Sequence, residues 1–158
     1  MKKPANKNDQ AITSPLQILH LEDDPHDATL VESTLKAGGI ACTATRVQTR
    51  GDFVAALERG GFDLILSDYS LPTFDGLAAM DIVNARWPGL PLIIVSGLLG
   101  EERAIDALKG GATDYVLKER LTRLVPAVRR AMQEVEERAK RRQAEQATRS
   151  ERDFSEVS

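Results

Sequence analysis

The sequence has little cysteine: Cys42 is the single thiol among 158 residues. One thiol can form neither an internal disulfide nor a cysteine-based zinc site, so buried apolar side chains must hold the fold together. Because Cys42 has apolar neighbours in Ile40 and Ala41, we expect it to be a small core residue rather than a reactive thiol. Such cysteine use is compatible with a reducing compartment.

The chain also lacks an excess of positive charge and any long apolar run. Lysine and arginine total 21 against 24 acidic residues, and the net charge of -3 provides no basic surface for a nucleic-acid backbone. No run approaches the roughly 18 apolar residues of a membrane span, and polar residues rather than a signal core follow Lys2 and Lys3. We therefore expect one cytoplasmic domain that contacts neither nucleic acid nor membrane directly.

Residues 1–15 are polar and show no periodicity, so we expect a disordered leader. After them, short apolar runs alternate with amphipathic stretches of helical length. Three of the runs, beginning at Ile18, Leu64 and Leu92, are almost continuously apolar, as expected of strands buried on both faces of a parallel sheet. The predicted strands are Leu16–Leu21, Ile40–Val47, Phe62–Ser67, Pro91–Ser96 and Ala112–Leu117.

The segments between these strands carry helix start and stop signals. Asp24 followed by Pro25 predicts an N-cap with proline in the first turn, and Gly38 with Gly39 predicts the end of that helix. Alternating strands and helices predict a doubly wound α/β parallel sheet, whose functional site lies at the carboxyl ends of the strands. The predicted apolar stripes are Ala28, Val31 and Leu35; Phe53, Ala56 and Leu57; Leu77, Met80 and Val83; and Ala104, Ile105 and Leu108.

The residues at the predicted strand ends form a chemical set. Acidic residues follow the first and third strands, a hydroxyl ends the fourth strand, and a lysine follows the fifth. Carboxylates about 4 Å apart repel by on the order of 4 kcal/mol per pair, which favours a bound cation, and hard oxygen ligands suit Mg²⁺. Taken alone, Asp24 is better explained as a helix cap. The set consists of Glu22, Asp23, Asp24, Asp68, Ser96 and Lys118.

These residues and their neighbours resemble the receiver domain of two-component response regulators over about Leu16–Met132. The resemblance implies a flavodoxin-like (CheY-like) sheet of five parallel strands with helices on both faces, followed here by an extended C-terminal helix. Any one matching segment is weakly specific, whereas the combination is highly specific. The segments are Ile18-Leu-His-Leu-Glu-Asp-Asp24, Asp63-Leu-Ile-Leu-Ser-Asp-Tyr-Ser-Leu-Pro72 with Asp75-Gly76, Pro91-Leu-Ile-Ile-Val-Ser96, and Gly111-Ala-Thr-Asp-Tyr-Val-Leu-Lys118.

The resemblance also implies a role for each matching position. The protein would accept a phosphoryl group from a histidine kinase or phosphotransfer protein, with Mg²⁺ as cofactor. It would not otherwise be an enzyme, apart from catalysing its own phosphoryl transfer and dephosphorylation. The implied roles are phosphoacceptor for Asp68, metal ligand for Asp23 and Asp68, ligand through water for Glu22, metal-binding carbonyl for Ser70, switch hydroxyl for Ser96, phosphate counter-ion for Lys118 and aromatic switch for Tyr115.

The sequence departs from the family pattern in two places. Glu119 follows Lys118 where proline is usual, and because a cis bond without proline costs about 3 to 4 kcal/mol, we expect a trans peptide. Ser96 and Gly97 stand where threonine and alanine are commoner in the family, and Gly97 and Gly100 should loosen the loop after the fourth strand.

The sequence is also compatible with two other functions. One alternative is a receiver-like interaction module that is never phosphorylated, although none of the expected site residues is missing. Another is a magnesium-dependent aspartyl phosphohydrolase, which usually has a second acid where this chain has Ser70. A strand position for His20 and an exposed first turn for His26 favour neither histidine as a phosphoryl donor.

The end of the sequence, residues 133–158, predicts a charged helical extension of the receiver domain at 16–132. Of the 21 residues in Gln133–Asp153, 12 are charged, and nothing after Met132 resembles an effector domain. Heptad spacing predicts a helix from about Val125 to Thr148 that mediates a homodimer, with a solvated helix on a monomer as the equal alternative. The heptad positions are Leu121, Val125, Val128, Met132, Val135 and Ala139.

Overall fold

A computed structural model describes residues 14–72, 74–97 and 101–156. Most of the predicted leader and most of the glycine-flanked loop after the fourth strand lie outside these residues. The elements, in chain order, are β1 (Leu16–Leu21), α1 (Pro25–Ala37), β2 (Cys42–Val47), α2 (Arg50–Arg59), β3 (Leu64–Ser67), α3 (Gly76–Arg86), β4 (Leu92–Ser96), α4 (Glu101–Lys109), β5 (Asp114–Leu117), a 3₁₀ segment (Lys118–Arg123) and α5 (Leu124–Glu156).

The strands form one parallel sheet in the order β2-β1-β3-β4-β5. The continuous apolar runs supply the three central strands, and their residues from Ile18, Leu64 and Leu92 onward are almost fully buried. Parallel pairing places the carboxyl ends of all five strands at one edge. The predicted fold is therefore confirmed, and the strands bring the candidate residues at their carboxyl ends to the same edge of the sheet.

Local capping fixes where the helices begin. The Asp24 carboxylate accepts a hydrogen bond from the His26 amide at 2.9 Å, and Pro25 occupies the first turn of α1, as predicted. Thr49 caps α2 in the same way, and Asp75 caps α3. These bonds satisfy amides that the first helical turn leaves unpaired.

Apolar side chains pack on both faces of the sheet. Leu19, Leu21 and Ile65 belong to the cluster beneath α2 and α3, whereas Ile18 and Leu64 belong to the cluster beneath α1 and α5. Cys42 is buried in the second cluster, so its predicted place in the core is confirmed.

The predicted apolar stripe of α4 is wrong. Ile105 and Leu108 are 44% and 48% exposed, whereas Ala107 is completely buried. Successive helical residues are about 100° apart, so a helix that presents Ala107 to the sheet turns its neighbours at 105 and 108 away. The small side chain lets α4 pack closely at this position, and the two larger side chains remain at the surface.

The 3₁₀ segment connects Lys118 directly to α5, and the Lys118–Glu119 peptide is trans, as predicted. Helix α5 has 33 residues and extends beyond the predicted end at Thr148. Its first turns bury Leu124, Ala127 and Val128 against the sheet. Beyond Met132 the described side chains are exposed, except for the half-buried Val135. None of the helices in the described ranges combines the length and apolar character required to cross a bilayer.

Candidate functional site

The backbone at the carboxyl edge of the sheet holds the acidic residues in place. The Glu22 amide donates to the Val47 carbonyl at 2.9 Å, and the Asp68 amide donates to the Leu21 carbonyl at 2.9 Å. These bonds continue the parallel pairing one residue past β1 and β3. The backbone of both acidic residues is therefore held in place by the sheet, although the residues lie outside the strands.

The Asp68 carboxylate is surrounded by hydrogen-bond donors. Its Oδ1 accepts from the Ser96 hydroxyl at 3.0 Å and from the Ser70 amide at 3.2 Å. Its Oδ2 lies 2.9 Å from the Lys118 ammonium. Asp68 is only 7% exposed, so these bonds form where water competes weakly. These three contacts fix the orientation of the Asp68 carboxylate.

The Lys118 ammonium contacts three carboxylates at once. Its Nζ lies 2.8 Å from Asp27 Oδ2, 2.9 Å from Glu22 Oε2 and 2.9 Å from Asp68 Oδ2. Burial lowers the pKa of Lys118, but the bonds to Asp27, Glu22 and Asp68 raise it by more, so its net pKa lies above the usual value. The lysine is therefore a permanent cation at the centre of the site.

Glu22 is completely buried, and both its carboxylate and its backbone carbonyl accept hydrogen bonds. Its Oε1 accepts from the Asp24 amide at 3.1 Å, and its backbone carbonyl accepts from the Arg46 guanidinium at 3.1 Å. Burial raises the pKa of Glu22 to about 7, and the bond from Lys118 opposes that rise. An additional cation beside Glu22 would favour its charged form.

Three carboxylates could hold such a cation. Ligand atoms of Glu22, Asp23 and Asp68 all lie within 4.8 Å of one another. Carboxylate oxygens are hard donors, which fit Mg²⁺ and provide none of the nitrogen or sulfur ligands typical of zinc. Asp24 is not in this group; it caps α1, as the sequence indicated.

The other two predicted site residues lie beside this group. Ser70 is exposed and contacts Asp68 through its amide; the proposed metal contact of its carbonyl remains a prediction. Tyr115 is half-buried against the cluster beneath α2 and α3, and its hydroxyl is buried with no hydrogen-bond partner among the described residues. Burial raises the pKa of Tyr115, and the nearby Asp68 charge adds to the rise.

Sequence reasoning missed two features of the site. The contact of Asp27 with Lys118 has a weak signal, since a first-turn acid of α1 is explained equally well by the helix dipole. His20 is only 1% exposed, and neither ring nitrogen has a hydrogen-bond partner within the described ranges. Burial and then the Lys118 charge lower the pKa of His20 to about 4. The exposed position predicted for His26 is confirmed.

The fold and the site together define a class: doubly wound α/β domains with carboxylates, a hydroxyl and an ammonium at the carboxyl edge of the sheet. The model of the response regulator receiver domain matches residues 18–129. The chain therefore belongs to the receiver-domain family of two-component response regulators.

Individual relatives agree with this assignment. The chain is 30% identical over 107 residues to the transcriptional regulatory protein ZraR of Salmonella typhimurium, covering 68% of this chain and 24% of ZraR. It is 33% identical over 98 residues to the DNA-binding transcriptional regulator NtrC of the same species, covering 62% of this chain and 20% of NtrC. The chain thus spans about a quarter of the length of these relatives or less.

Solved structures of receiver domains have the same fold. A CheY-like receiver domain from Methanospirillum hungatei matches with a TM-score of 0.68 and 25% identity, covering 79% of this chain and 99% of that domain. The receiver domain of NtrX from Brucella abortus matches with a TM-score of 0.66 and 28% identity, covering 73% and 98%. Nearly the whole of each solved domain is therefore represented in this chain.

Proposed function

We propose that Asp68 is the residue on which this receiver domain accepts a phosphoryl group from a phosphohistidine of a histidine kinase or phosphotransfer protein. The observation that carries the proposal is the Asp68 carboxylate held between the Ser96 hydroxyl and the Lys118 ammonium. An Asp68 oxygen forms a bond to phosphorus while the phosphorus–nitrogen bond breaks and its electron pair returns to the imidazole. The products are an aspartyl phosphate and a free histidine on the partner.

The carboxylate group fits a magnesium ion, and we propose that Asp23, Asp68 and the Ser70 carbonyl bind it directly, with Glu22 acting through water. Mg²⁺ would supply positive charge that stabilises the oxygens of the transferring phosphoryl group. Lys118 contributes a second positive charge from the side of β5. In the absence of these charges, the buried acidic residues would repel an incoming phosphoryl group.

The same residues suggest how phosphorylation of Asp68 would change the conformation of the domain. Ser96 and Lys118 already contact Asp68, so a phosphoryl group on this residue would draw both side chains toward its oxygens. Movement of Ser96 would open space beside Tyr115, which would then change rotamer. Such a change is a population shift between two packings of the same loop.

The deciding experiment is incubation with acetyl phosphate and Mg²⁺, followed by intact-mass measurement and a phosphate-retarding gel. The wild type should gain one acid-stable, base-labile phosphate, and Asp68→Asn should gain none. Asp81→Asn, which removes an exposed carboxylate from α3, is the matched control and should behave like the wild type. A wild type that never gains phosphate indicates an unphosphorylated interaction module, and rapid multiple turnover indicates a phosphohydrolase.

We propose that residues 16–132 form the receiver domain and that residues 133–158 form a helical extension. We also propose that the domain acts on a protein partner or a linked module rather than on nucleic acid directly.

We further propose a homodimer through α5. Its support is the exposed second half of the helix, because a lone charged helix has few tertiary contacts to stabilise it.

A further inference from the structure

Besides the three carboxylates that could hold a metal ion, the carboxylate of Asp27 contacts the Lys118 ammonium from outside the sheet. Asp27 lies in the first turn of α1, and its Oδ2 is 2.8 Å from the Lys118 ammonium, the shortest of the three contacts that the lysine makes. Among the described residues, the group of acids able to hold one metal ion consists of Glu22, Asp23 and Asp68 and does not include Asp27. The contact is therefore separate from the metal-binding carboxylates.

The sheet topology indicates what the contact with α1 does for Lys118, because this side chain must reach across several strands. Lys118 follows β5, and in the strand order β4 and β3 separate β5 from β1. Neighbouring strands are about 4.8 Å apart, so a lysine that reaches Glu22 must extend its four methylene groups across the edge of the sheet. An extended lysine loses considerable rotamer entropy, and a contact at the far end of the side chain offsets that loss.

The three contacts of Lys118 differ in what happens to them during phosphoryl transfer. Glu22 and Asp68 belong to the proposed metal site, and Asp68 also forms the bond to phosphorus. Their oxygens are therefore shared with, or redirected toward, other positive charges during the reaction. Asp27 has neither role and remains available to the ammonium throughout.

We propose that Asp27 is a positioning residue for phosphoryl transfer: from α1 it holds the Lys118 ammonium extended over Asp68 while Glu22 and Asp68 engage Mg²⁺ and the phosphoryl group. The inference rests on the proposed phosphorylation of Asp68. A charge-assisted hydrogen bond to an ammonium of 18% side-chain exposure is enough for roughly a tenfold change in rate when it is lost.

The test compares Asp27→Ala and Asp27→Asn with the wild type at saturating Mg²⁺ and acetyl phosphate. Asp27→Ala should be phosphorylated roughly tenfold more slowly, and Asp27→Asn, whose amide oxygen can still accept a hydrogen bond, should recover part of the rate. The affinity for Mg²⁺ should stay close to that of the wild type, because Asp27 is outside the metal-binding group. In a Lys118→Met background, Asp27→Ala should have no further effect.

A second measurement does not depend on phosphorylation. In the metal-free protein, NMR relaxation of the Lys118 side-chain carbon Cε should show faster motion in Asp27→Ala than in the wild type. Glu32→Gln is the matched control, since it removes an acid of the same helix that pairs with Lys36 and not with the site. Unchanged Lys118 motion together with an unchanged or faster phosphorylation rate overturns the inference, whereas a wild type without phosphate on Asp68 overturns the proposed function.

Discussion

At the scale of single residues, Asp68 and Lys118 each contact three partners in the site. The hydroxyl of Ser96 is one of three donors to Asp68, beside the Ser70 amide and the Lys118 ammonium. Loss of one donor weakens the site without leaving the carboxylate unpaired. Single substitutions around Asp68 should therefore separate phosphorylation from the structural response to it.

Ser96→Ala is the first such substitution. Asp68 keeps two donors, so acetyl phosphate should still phosphorylate it, but the phosphoryl group loses the hydroxyl that connects it to β4. NMR signals of Tyr115 should accordingly shift less on phosphorylation than in the wild type. Ser67→Ala is the control, because its buried hydroxyl donates to the backbone carbonyl of Asp68 rather than to the carboxylate. Full Tyr115 shifts in phosphorylated Ser96→Ala would contradict the proposed switch.

Burial of His20 should reduce the stability of the metal-free protein in acid relative to a variant without this histidine. Its pKa is about 4 in the folded chain against 6.5 for an unperturbed histidine, so below pH 6.5 the unfolded chain binds a proton that the folded chain does not. The His20 contribution to stability should fall as the pH drops from about 6.5 to 4, by roughly 3 kcal/mol at the lower end. The raised pKa of Glu22, about 7, acts in the opposite direction over this range, so the contribution of His20 is measured as a difference between variants that all retain Glu22.

Urea unfolding in EDTA between pH 7 and pH 4 measures this loss. His20→Leu has no proton to bind and should lose less stability than the wild type over that interval. His26→Gln removes the exposed histidine and should follow the wild-type curve. Equal pH dependence for the wild type and His20→Leu would show that His20 does not carry the effect.

At the scale of elements, the start of α3 packs closely against the backbone that follows β3. A Cβ atom on Gly76 would lie 2.8 Å from the Asp68 carbonyl oxygen and 3.1 Å from the Tyr69 Cα. Both neighbours are backbone atoms, so they cannot move aside without displacing the loop that carries Asp68. The approach of α3 to β3 therefore depends on a residue without a side chain.

Gly76→Ala should destabilise the protein by about 1 to 3 kcal/mol, the usual cost of overpacking, and should slow phosphorylation of Asp68. Thermal unfolding and the acetyl phosphate assay measure the two effects. Gly51→Ala in the first turn of α2 is the matched control, since a Cβ there meets nothing within 4 Å. It should be neutral or stabilising by up to about 1 kcal/mol. Equal stability of the two variants would contradict the steric argument.

At the scale of the whole molecule, α5 both completes the core and extends beyond it. The heptad positions Leu121 and Val128 are buried in the cluster beneath α1 and α5, and Val125 and Met132 pack against that cluster. The domain itself therefore uses the first four positions of the predicted seam. Of the predicted seam, the half-buried Val135 and the exposed Ala139 are left for the proposed contact with a second copy of the chain, and polar positions follow them.

The full chain should accordingly dimerise weakly, and a version ending at Met132 should be a monomer. Sedimentation equilibrium at high protein concentration measures both, with and without phosphodonor. Ala139→Glu places a charge on the seam and should abolish the dimer, whereas Ala144→Glu lies off the seam and should not. If the full chain and the truncated version are both monomers, the helix is a solvated extension.

The sequence alone determined the order of the elements and the edge at which the site lies. Continuous apolar runs predict buried parallel strands because both faces of such a sheet are covered, and parallel strands bring their carboxyl ends to one edge. The cap at Asp24 and the proximity of Asp68, Ser96 and Lys118 followed from local pattern and strand ends alone. Both features are present in the structure.

Only the tertiary structure decided how neighbouring elements share these residues. The contact of Asp27 with Lys118 joins residues 91 positions apart, and no local pattern specifies such a pair. The exposure of Ile105 and Leu108 depends on which face of α4 meets the sheet. In the structure, that face carries the small side chain of Ala107. The heptad positions of α5 could equally serve the core or a second chain, because an apolar stripe predicts burial without identifying what covers it.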